Sequence, residues 1–145
     1  MDLLNVAVSQ DSFALELTHP KTGFVLKDKA DEVNDDGDII KAGTPFTISV
    51  LSSDTNKSKN AMHYLLKEAR EKGKKSKSEM TKQEEYAMQC RAVAKLTTDC
   101  FLILDGKPIK HSEDAMFELL VDPRFTWIKD QVTAAVDDRS NFILG

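Results

Sequence analysis

Apolar residues alternate with polar or small ones over the first third of the chain and recur at three- and four-residue steps afterwards. Phe13, Leu15 and Leu17 are separated by Ala14 and Glu16, the period of two that marks a half-buried strand. His19-Pro20-Lys21-Thr22-Gly23 supplies turn residues and Phe24-Val25-Leu26 resumes the apolar run, which predicts a hairpin over 13–26. An acidic loop from Lys27 to Asp38 follows. A further strand is expected from Pro45 to Leu51, with Phe46, Ile48 and Val50 on one face. Pro45 has no N–H to donate, so it suits an edge or a first-residue position.

After Ser53 the period becomes helical. Ser53-Asp54 offers a cap, and Ala61, Met62, Leu65, Leu66 and Ala69 carry a first helix to about residue 72. Lys72-Gly73-Lys74-Lys75-Ser76-Lys77-Ser78 is polar and interrupted by glycine, so an exposed basic linker is expected near 72–80. Thr81 and Glu84 are spaced as a capping box. Behind them Tyr86, Cys90, Val93, Thr97, Cys100, Phe101 and Leu104 predict a helix over 82–104, unwinding near Leu102 at the earliest. Asp105-Gly106-Lys107-Pro108 is a turn, and Ser112-Glu113-Asp114 opens a third helix. Asp122-Pro123 opens the last, which is expected to reach about Arg139 with Phe125, Ile128, Val132, Ala135 and Val136 on one face. The fold class is α+β: a hairpin or small antiparallel sheet in residues 1–52, then a helical part of about four helices in 53–145, together forming one compact domain.

A chain of 145 residues can bury roughly 70% of its unfolded surface, enough to fold without a metal or disulfides. No run of eighteen apolar residues predicts a membrane span, and MDLLNVAVSQDSF lacks the basic start of a secretory leader. Cys90 and Cys100, placed in one helix, would stand about 15 Å apart, too far for a disulfide, and are read as buried thiols. The net charge of −4 hides a partition. Residues 1–56 carry −6, residues 57–82 carry +6, and residues 83–145 carry −4.

The chain holds no P-loop, HExxH, GxSxG or GxGxxG motif. His19, His63 and His111 stand at no metal-ligand spacing from one another or from a cysteine. Glu32-x-Asn34-x-Asp36-Gly37-Asp38 resembles the opening of a calcium loop, but Gly43 occupies the position that needs a bidentate glutamate, and a strand follows. A solvated acidic turn is the better reading. The pattern therefore predicts no catalytic group, no cofactor and no metal. The basic segment Lys57–Lys82 could contact phosphates, but it holds one aromatic residue, Tyr64, and its lysines are interleaved with Glu68 and Glu71. A solvated helix end or an acidic protein partner fits it better than nucleic acid.

The segment Asp122-Pro123-Arg124-Phe125-Thr126-Trp127-Ile128-Lys129-Asp130-Gln131-Val132, followed by Ala135, Asp138-Arg139 and Asn141-Phe142, resembles the C-terminal signature of tail assembly chaperones of tailed bacteriophages. The likeness extends from Ser52 to Phe142 through Thr81-x-x-Glu84, Leu104–Pro108 and Ser112–Ala115, and includes the turn Thr18–Gly23. The resemblance implies a non-enzymatic assembly factor in the cytoplasm of the infected host. It would bind the tape measure protein, help recruit major tail tube subunits, and be absent from the finished virion. Self-association is left open. The last helix and tail are the expected contact region, through Phe125, Trp127, Ile128, Gln131 and Phe142, with Lys74, Lys75 and Lys77 of the basic segment as further candidates. Trp127 lies off the main apolar stripe, so it is either an interface anchor or a ring that closes the helix pair. Phe142-Ile143-Leu144 either docks on the domain or meets a partner. Two other readings are a structural tail or head–tail joining protein retained in the virion, and a nucleic-acid-binding regulator acting through Lys57–Lys82.

Overall fold

The computed structural model describes residues 2–76 and 81–143, with side chains described outside 72–76. After a 3-10 turn at Leu3–Val6, the strands are β1 (Phe13–Glu16), β2 (Glu32–Val33), β3 (Ile39–Lys41) and β4 (Thr47–Val50). The helices α1 (Asn56–Ser76) and α2 (Lys82–Ala94) follow, then β5 (Thr97–Phe101), β6 (Ile103–Leu104) and β7 (Lys107–Pro108). Two more helices, α3 (Glu113–Val121) and α4 (Thr126–Asp137), complete the α+β fold. Among the described residues, no helix is long and apolar enough to cross a membrane.

The main sheet is antiparallel in the order β1-β4-β5, so it crosses the expected boundary at Ser52. Phe13 and Leu15 of β1 face inward, as their alternation requires, and Ile48 and Val50 of β4 are fully buried. The helices cover that face. Leu17, Ile48, Val50, Cys90, Met116, Leu120 and Val132 form the solvent-free centre of the core.

Several elements differ from the sequence reading. The return arm Phe24–Leu26 is no full strand: Thr18 bridges Val25, and the ladder partner of β1 is β4. The acidic loop folds back as the β2–β3 hairpin, because the Asn34 side chain accepts from the Asp36 and Asp38 N–H groups and Gly37 takes a φ of 84°. The cap of α1 is Thr55, whose hydroxyl accepts from the Ser58 N–H at 3.2 Å, and not Ser53-Asp54. Helix α1 continues to Ser76, past the expected stop near residue 72; the rest of the proposed linker, 77–80, lies outside the described residues. The last helix is divided into a 3-10 turn at Pro123–Phe125 and α4.

The largest correction concerns 82–104. Helix α2 stops at Ala94, and Thr97–Phe101 is an edge strand of the sheet. Cys90 and Cys100 are thus in different elements, so their separation does not follow from helical rise; both are free thiols, Cys90 buried and Cys100 half-buried. Other sequence signals hold. Thr81 accepts from the Glu84 N–H and donates to its carboxylate, Ser112 caps α3, and Asp122 accepts from the Arg124 N–H. Asp105 and Gly106, with φ of 53° and 74°, form the two-residue turn between β6 and β7. At the other end, Ser9 N–H donates to the Phe142 carbonyl at 2.7 Å, and the Phe13 and Phe142 rings meet edge to face at 5.9 Å.

Candidate functional site

The segment following Asp122 builds one small apolar pocket. The Asp122 carboxylate accepts from the Arg124 main chain and guanidinium, which fixes the turn and holds that carboxyl below the usual carboxylate range. The turn sets the Phe125 and Trp127 rings edge to face at 6.5 Å. With Ile128 they line a cavity of about 130 Å³ together with Leu17, Leu26, Phe46, Leu102 and Leu119. Ile103 and Leu104, each more than a third exposed, stand at its rim. Trp127 is half-buried and packs against the core from the surface.

The other expected contact residues are placed differently. Ile128 contributes to the pocket wall but is itself buried. Gln131 is used within the chain: its amide oxygen accepts from the Thr18 N–H at 3.0 Å and its amide nitrogen donates to the Thr18 carbonyl at 2.8 Å. That reciprocal pair fastens α4 to the chain just beyond β1. Phe142 is 3% exposed and closes the core against Phe13, so the tail docks on the domain instead of offering this ring to a partner. The side chains of Lys74 and Lys75, all of Lys77, and Leu144 lie outside what is described.

Two further depressions were not singled out by the sequence. The larger, about 480 Å³, is lined by Lys57, Asn60, Tyr64, Lys95, Thr97, His111 and Glu113. Four of its polar groups are matched in pairs. Lys95 pairs with Glu113 at 2.8 Å and lies over the Tyr64 ring at 4.5 Å. The Thr97 hydroxyl donates to the Ala94 carbonyl, leaving its oxygen to accept from His111 Nε2–H at 3.0 Å. Among the described residues, no group of three or more His, Cys, Asp or Glu side chains is placed to hold a metal ion. Burial pushes both the Cys90 and the Cys100 thiol up, away from the reactive thiolate.

The second depression, about 340 Å³, is a valley between α1 and α4 with α2 as its floor. Ala61, Met62 and Leu65 form one wall, Thr133 and Val136 the other, and Gln89, Ala92, Val93 and Leu96 the floor. Met62 and Leu66 are more than half exposed. Their signal was present in the sequence as an apolar stripe on α1, but periodicity alone does not say which side of a stripe the core covers. No protein-family model matches the chain, and neither a curated protein nor a solved structure is significantly similar to it.

Proposed function

We propose that this chain is a non-enzymatic tail assembly chaperone of tailed bacteriophages, acting in the cytoplasm of the infected host. It holds the tape measure protein in soluble form and helps recruit tail tube subunits to it. The observation that supports this reading best is the Phe125–Trp127 pocket. The segment that carries the family resemblance is also the segment that builds an apolar depression at the protein surface. A half-buried tryptophan beside such a depression is the kind of anchor on which partner helices seat.

Co-expression with the tape measure and major tail tube proteins of the same genome tests the proposal. The expected result is a soluble complex, with tape measure solubility depending on this chain. Retention of neither partner at low or moderate salt would remove the reading. Mass spectrometry of purified particles should find the chain missing; its presence at stoichiometric amount would make it a structural tail or head–tail joining protein.

A further inference from the structure

The valley between α1 and α4 has the form of a helix bundle lacking one member. Three helices are in place, and the apolar surface they leave uncovered runs along the valley. Met62 and Leu65 stand on the α1 wall, Val93 and Leu96 on the floor, and Thr133 and Val136 on the α4 wall. The Thr133 hydroxyl is buried at that wall and has no hydrogen-bond partner among the described residues. Met62 and Leu66, at 55% and 52% exposure and one helical turn apart, extend the apolar strip past the rim.

The charges around this strip are basic on its α1 flank and acidic on its α4 flank, where exposed Asp130 falls about 60° from Thr133, on the side of Asp137. At about 100° per residue, Lys59 and Arg70 lie on the outer side of Met62 and Leu66 and both are exposed, while Lys67 falls about 140° from Met62. Glu71 falls half a turn from Met62 on the same geometry, while Glu68 turns away to the cleft it shares with Arg91 and Phe117. On the α4 wall Lys129 is held by Gln89 and the Tyr86 ring, and Asp137 is the one carboxylate lining the valley. The sequence of α1 continues with Lys72, Lys74 and Lys75.

We infer that this valley docks an amphipathic helix of a partner protein, with an apolar face toward Met62, Leu65 and Val93 and acidic residues along the flank that meets α1. A second copy of this chain fits less well, because its own acidic amphipathic helix, α3, already buries Met116, Leu119 and Leu120. The inference rests on the chaperone reading, which names the tape measure protein as the source of the helix.

The test is co-purification of tape measure protein with the full chain, wild type against two variants. Met62→Asp/Leu66→Asp destroys the apolar strip, and Lys59→Glu/Arg70→Glu reverses exposed charges with the strip intact. Circular dichroism melts verify that both variants fold. Each should weaken the complex at least ten-fold. A peptide from the captured tape measure segment should bind the wild-type chain, and a copy with its acids changed to lysine should bind at least ten-fold more weakly.

A complex that survives both variants but is lost with Trp127→Ala would overturn the valley and leave the chaperone reading standing. Equal binding of the acidic peptide and its lysine copy would overturn the stated partner chemistry. A free chain that sediments as a dimer, and as a monomer after Met62→Asp/Leu66→Asp, would give the valley to a second copy. If wild type retains no tape measure protein, the chaperone reading fails, and the valley proposal fails with it.

Discussion

Gln131 shows how a single side chain can be mistaken for a contact residue when its partner is remote in sequence. Its two bonds to the Thr18 main chain satisfy a donor and an acceptor that the adjoining strand pairing leaves free. Gln131→Ala should therefore cost about 0.5–1.5 kcal/mol of stability by urea denaturation, the range for a typical intramolecular hydrogen bond. Asp31 ties another loop together, accepting from the Lys27 ammonium at 2.9 Å and the Gly43 N–H at 2.7 Å. Those donors lower its proton affinity below that of the unfolded chain. The contribution is present above the unfolded value, about pH 4, and is lost as pH falls through the lower folded value. The melting temperature should drop as pH falls below about 5, and Asp31→Asn should flatten that drop. Gly43 itself has no room for a side chain, because a Cβ there would collide with the Lys29 carbonyl. The two thiols offer a simpler check. In native protein Cys100 should react with a thiol reagent before Cys90, and both should react more slowly than in urea, because burial raises both and Cys90 has no exposed surface.

Among the elements, β5 is the instructive case. It pairs with β4 through Val50↔Thr97 and Ser49↔Asp99, so Thr98 is an extra residue and the register shifts there. Directly opposed residues share a face, and Val50 and Ile48 both face the core. The bulge therefore places Thr97 and Cys100 on one face three residues apart, which is the spacing of a helix. Periodicity could not separate the two, although the β-branched pair Thr97-Thr98 pointed the other way. Apart from the α1 cap, caps and turns were legible because their chemistry is local: Thr81, Ser112, Asp122 and Asp105-Gly106 each act within four residues. The Phe125–Trp127 pocket was only half legible. The signature segment was visible, but the walls contributed by Leu17, Phe46 and Leu102 come from remote strands and loops. Gly106→Ala should cost about 1 kcal/mol, because a φ of 74° favours glycine over alanine. Thermal melts would measure it, and a loss below a few tenths would contradict the turn geometry.

At the scale of the molecule, the −6 and +6 segments come from different parts of the fold. The acidic one ends in strands and hairpins, and the basic one is largely α1. Binding through a basic rim should weaken as salt rises from about 0.05 to 0.5 M, since exposed charges are screened within a Debye length of about 10 Å at 0.1 M. Calorimetric titration of the captured tape measure segment would record this as a falling affinity.

The contact of Phe13 with Phe142 has a consequence for synthesis. The first strand is made early, yet the ring that seals it and the carbonyl that receives the Ser9 N–H are among the last described groups to leave the ribosome. Loop closure over nearly the whole sequence must precede this reward. The nascent chain therefore carries an unsealed sheet until Phe142 has left the ribosome.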